Sequence, residues 1–151
     1  MDHGQVAAEA FVAGYNCAQA VAIAFCDITG LDPKQAAKMV SPFGGGFGRQ
    51  REVCGAVSGM CFVLGTLYGY DSPNSEKQLA VYADVQALCQ QFREKAGSII
   101  CREILNNPPS DPAPTPRTAQ YYAARPCARM VLLAANLLDE YIANHPLTEN
   151  E

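Results

Sequence analysis

The sequence predicts an all-α fold, a compact array of about five to six helices in one cysteine-rich domain spanning residues 1–151. Three observations predict it. Apolar residues recur at helical spacing in most segments, as in Val6, Ala7, Ala10, Phe11, Ala18, Val21, Ala22 and Phe25. Recognisable caps and breakers bound those segments. No stretch alternates apolar and polar residues with the period of a strand.

Taken in order, residues 5–26 read as helix, with Gly14 able to split it and Asn16 with Gln19 forming a fresh N-terminal capping pair. Asp32-Pro33 starts a short helix over 33–40, a capping carboxylate followed by proline at the first helical position. Ser41-Pro42 closes it and leads into Phe43-Gly44-Gly45-Gly46-Phe47-Gly48. A third helix is expected over 53–68. Ser75-Glu76-Lys77-Gln78 is a capping box for a long helix to about 96, where Gly97 breaks it. Ser98 can cap a helix over 99–105. Residues 106–117 hold five prolines and read as an irregular loop. The last helix runs from about 125–127 to about 144.

Composition removes several classes of function. Net charge is −4 and the sequence pI about 5.1. No basic stripe suits nucleic acid, and no apolar run is long enough for membrane insertion. The start, Met1-Asp2-His3-Gly4-Gln5, lacks the basic region of a signal peptide, so a cytoplasmic location is expected. Self-association is left open.

The chemistry sits in the seven cysteines. In a reducing compartment they are not a disulfide framework, and an odd count fits one poorly. Cys54, Cys101 and Cys127 each fall in the first turn of an expected helix, as does Cys17 if Asn16 starts one. Unpaired N–H groups and the helix dipole favour a thiolate there. Cys26, Cys61 and Cys89 read as packing residues. Familiar metal spacings, C-x-x-C and H-E-x-x-H, do not occur, and His3 and His145 are read as non-ligands. The loop at Gly44, Gly45 and Gly46, with Gly55, could bring backbone N–H groups to a ligand. Arg49 and Arg51 could offset its charge, although a solvated loop is the plainer role for each.

Four cysteines at 17, 54, 101 and 127, with Cys54-Gly55-Ala56-Val57-Ser58-Gly59 as Cys-Gly-Ala-x-x-Gly, resemble the C-GCAxxG-C-C family, whose members are described as redox-active. Gly14 to Val21, Ser41 to Gly46 and Cys101-Arg102-Glu103-Ile104-Leu105 extend the resemblance over about residues 5–140. The family is similar to a domain of split-Soret cytochrome c, which carries an iron–sulfur cluster besides haem. No Cys-x-x-Cys-His haem attachment motif is present in this chain.

Three readings follow. The leading one is a four-cysteine iron–sulfur cluster or metal site at Cys17, Cys54, Cys101 and Cys127, serving electron transfer or redox or metal handling with an unnamed redox partner. Zinc, or no metal at all, is the alternative for the site. A second reading is thiol–disulfide chemistry with Cys54 as low-pKa nucleophile and one of the other three as resolving thiol. The third is a non-enzymatic module whose glycine loop holds an anion or other ligand while the thiols only pack.

Overall fold

Polar side chains cap five helix starts in the computed structural model, which describes residues 2–147; Met1 and 148–151, included in the expected domain, lie outside the described residues. Helix α1 (His3–Val12) starts at Asp2, whose side chain accepts from the Gln5 N–H. The expected 5–26 helix is divided. Gly14 takes φ +116°, and Asn16 and Gln19 form a reciprocal capping box that opens α2 (Cys17–Ala24). A further break at Phe25 leaves a single turn, α3 (Cys26–Thr29), closed by left-handed Gly30. Helix α4 (Pro33–Val40) is capped by Asp32 through the Gln35 N–H at 3.0 Å.

The later elements differ from expectation at their starts. Helix α5 (Gly55–Tyr68) begins two residues late because Val53 pairs with Ile100 in an isolated antiparallel bridge. Helix α6 (Ser75–Ala96) is capped by Asn74 through the Lys77 N–H, one residue before the expected cap, and ends at left-handed Gly97. The expected 99–105 helix shrinks to α7 (Cys101–Ile104), since Ile99 and Ile100 are used in that pairing. An unexpected short helix, α8 (Ala119–Ala124), is capped by Thr118. Helix α9 (Cys127–Asn144) follows. Among the described residues the fold is all-α, with six helices of eight residues or more.

Helix α2 is the centre. Its Ala18, Ala20, Val21, Ala22 and Ala24 are all buried, the pattern of a helix covered on every side. It packs against α1, α4, α5 and α9. Phe11, Phe25, Met60, Leu64, Phe92, Val131 and Leu138 fill the main core. At the rim, His3 is buried against Phe25 and bonds Asp27 on α3 and Asp139 on α9, tying three helices. Helix α6 buries only Leu88, Cys89 and Phe92. Among the described residues no helix is long and apolar enough to cross a membrane.

Candidate functional site

Four helix starts deliver four cysteines to one place. Cys17, Cys101 and Cys127 are the first residues of α2, α7 and α9, and Cys54 is the residue that precedes α5. The pairing of 51–54 with 99–102 brings two of them together. The Cys54 N–H donates to the Ile99 carbonyl at 2.7 Å and the Cys101 N–H to the Glu52 carbonyl at 2.6 Å. All four line a single cavity of about 60 Å³.

The glycines shape the turn beside the cysteines. Gly45, Gly46 and Gly55 line this cavity and Gly44 lines an adjoining one. Yet the carbonyls of Gly44, Gly45 and Gly46 accept from the N–H groups of Arg49, Arg51 and Glu52, which closes the loop on itself. What the glycines supply is close approach. A methyl on Gly46 would lie 2.6 Å from Cys101 Cβ, at a left-handed φ of +72°. One on Gly59 would lie 2.8 Å from the Ala18 carbonyl, where α5 crosses α2. Residues 45–49 all have positive φ, a left-handed turn in which Phe47 and Arg49 carry strain that glycine would not.

That turn aims two arginines inward. Arg51, itself at φ +64°, is 4 % exposed. It donates to the Pro109 carbonyl through Nε and to Cys101 Sγ at 3.6 Å through Nη1, while Nη2 is buried without a hydrogen-bond partner. This is far from the solvated loop residue expected of it. Arg49 is also held, by the Asp111 carbonyl and Thr115 Oγ1. The proline-rich segment is therefore a cover pinned by both arginines. Arg117 and Arg125 complete the wall. Arg117 sits 4.4 Å over the Phe11 ring and donates to the Phe11 and Tyr15 carbonyls; Arg125 lies over Tyr121 at 5.0 Å.

The thiols are not equivalent. The neighbouring Cys127 thiol and burial raise the pKa of Cys17, whereas proximity to Cys17 and the charges of Arg125, Arg117 and Arg51 lower that of Cys127 to about 7 against the cost of burial. Burial pushes Cys54 up to about 12, although the N–H groups of Ala56 and Val57 pull the other way. Desolvation therefore outweighs the helix start at Cys54. Burial also raises Cys101, opposed by Arg51. Arg117, Tyr121 and Arg125 were not singled out from sequence. The available signal was their i, i+4 spacing beside Cys127, split between the 106–117 loop and the start of the last helix.

The remaining candidates fall elsewhere. Cys26 donates to the Ala22 carbonyl. Cys61 on α5 and Cys89 on α6 are a second pair of neighbouring thiols, within the core seam. His145 stacks on Tyr141 near the end of α9. Among the described residues no group of three or more His, Cys, Asp or Glu side chains is placed to hold a metal ion.

A family model described as "Putative redox-active protein (C_GCAxxG_C_C)" matches residues 15–141. The chain belongs to this family. The C_GCAxxG_C_C match spans all four cysteines of the cavity and the glycine turn between them. No curated protein and no solved structure matches the chain.

Proposed function

We propose that this member of the redox-active family is a thiol–disulfide exchange protein, with Cys127 as the attacking sulfur and Cys17 as the resolving one. The observation that carries the reading is that Cys17 and Cys127 face one cavity walled by Arg51, Arg117 and Arg125, close enough for each thiol to shift the acidity of the other. Neighbouring sulfurs can join with little rearrangement. Cys54 and Cys101 are worse placed to pair. They sit diagonally across the Val53–Ile100 bridge, where neighbours stand roughly 7–8 Å apart. Their role in this reading is to wall the cavity.

The four thiols around one cavity favour a second reading, an iron–sulfur cluster held by Cys17, Cys54, Cys101 and Cys127, with the arginines balancing thiolate charge. One experiment separates the two. Protein purified anaerobically is assayed for iron, zinc and sulfide, then treated with diamide and mapped by mass spectrometry. The thiol reading expects no stoichiometric metal and a Cys17–Cys127 disulfide with the other five thiols free to alkylate. Stoichiometric iron and sulfide, lost on C17S or C101S, would overturn it in favour of the cluster.

A further inference from the structure

Beside the thiol cavity lies a second one, of about 320 Å³, and the two share Arg51, Arg117, Arg125, Tyr121, Gly45 and Asn16. Arg49 lines the outer cavity as well, and no Asp or Glu lines it. Four of the chain's eleven Lys and Arg residues thus meet at one mouth in a protein of net charge −4. Such a concentration against the overall charge needs a reason. Arg49 and Arg117 are held by carbonyls, and Arg49 also by Asp111 at 4.0 Å, but a buried guanidinium costs free energy unless all its donors are met. Arg51 is buried, has one Nη without a partner, and lines both cavities. A ligand oxygen is the natural acceptor for it.

We infer that the outer cavity binds the anionic end of the substrate, and that the substrate is a small organic disulfide carrying carboxylate or phosphate groups. This rests on the thiol-exchange reading above. The volume suits a small ligand, and the inner cavity is large enough only for its reacting sulfur end. Arg117 and Arg125 are shared, so the cations that seat the anion are also those beside Cys127. In the reaction, the Cys127 thiolate attacks one substrate sulfur and the substrate S–S bond breaks. One thiolate leaves and takes up a proton. Cys17 then loses its proton and attacks Cys127 in the mixed disulfide, releasing the second thiol. Two cysteine thiols are oxidised to one disulfide, and one substrate disulfide is reduced to two thiols.

The test compares disulfides of opposite charge. The full-length reduced protein is mixed with oxidised glutathione, which is anionic, or cystamine, which is cationic. Each rate is divided by that of dithiothreitol with the same disulfide. Oxidised glutathione should be preferred by about tenfold or more at low salt, and sulfate or added salt should erode the preference. Arg125→Gln, at a half-buried residue whose contact is a ring face, should reduce the ratio of the oxidised-glutathione rate to the cystamine rate several-fold. A circular-dichroism melt checks that the variant is folded, and Arg49→Gln is the second variant. Equal normalised rates for the two disulfides, or a preference unmoved by both variants, would overturn the inference and leave the exchange reading standing. Failure of both disulfides to react would overturn the exchange reading and the inference with it.

Discussion

The chain holds two thiol pairs that look alike one at a time. In each, one cysteine beside the other is acidified to about 7: Cys127 beside Cys17, and Cys89 beside Cys61. Their surroundings differ. Cys17 and Cys127 face a cavity with three arginines, one of them buried and short of an acceptor. Cys89 faces a groove lined only by α6, with exposed Arg93 as its one cation. A water-exposed charge is screened and adds little. The difference teaches that thiol proximity and acidity do not make a site. Converging backbone turns and desolvated cations do.

The sharpest way to break this comparison is to remove the acidified thiol from each pair. Cys127→Ser should abolish the intramolecular disulfide formed with oxidised glutathione. Cys89→Ser should leave that disulfide forming at near the original rate and lower stability by about 1 kcal/mol, the scale of a small core change. Peptide mapping and thiol counting read the first effect, urea unfolding the second. An unchanged C127S protein would dissolve the distinction between the pairs.

A second contrast concerns the glycines around each pair. Gly46→Ala should destabilise by about 2–4 kcal/mol, combining a left-handed φ with contact on Cys101. Gly65 lies in α5 one turn beyond Cys61, and an added methyl there meets nothing within 4 Å. Gly65→Ala should stabilise by about 0.5–1 kcal/mol through helix propensity. Equal effects in denaturant unfolding would mean that the turn is not specially constrained.

The smallest expected effect is in pH dependence. Iodoacetamide labelling of Cys127 should reach half its maximal rate near pH 7, and Arg125→Gln should move that point modestly upward. Because the folded pKa of Cys127 is lowered, its contribution to stability is complete above the ordinary thiol range and is lost as pH falls through about 7. Cys54 works with the opposite sign. Raised to about 12, it stabilises fully below the ordinary thiol pKa, and that contribution fades as pH climbs toward 12. A labelling midpoint for Cys127 near 9 would remove the electrostatic half of the comparison.

Much of this was legible in the residues, and the failures have physical causes. The cap at Asn16, the Asp32-Pro33 start and the Gly97 stop are local signals and correspond to observed helix ends. The four grouped cysteines share helix starts, which a sequence can show, and share one cavity, which follows only from long-range packing. Pairing of Ile99 and Ile100 with 53–54 is likewise a tertiary event, and it shortened two expected helices. Short α8 was lost among prolines. Thiol acidity is only half legible because the helix-start effect is visible in sequence and desolvation is not: Cys54 has both, and burial outweighs the helix start.

Cys17 and Cys127 lie at nearly opposite ends of the described chain, so their union would close a loop of roughly 110 residues. In the chain-entropy account, a cross-link of that span restrains the unfolded ensemble by about 4–5 kcal/mol. Oxidation should then raise the melting temperature by about 10–15 °C for a chain of this size. Folding energy and electron affinity become one linked quantity: whatever tightens the packing of α2 on α9 also makes the dithiol a stronger reductant, and a heat-softened protein would hold its disulfide less firmly.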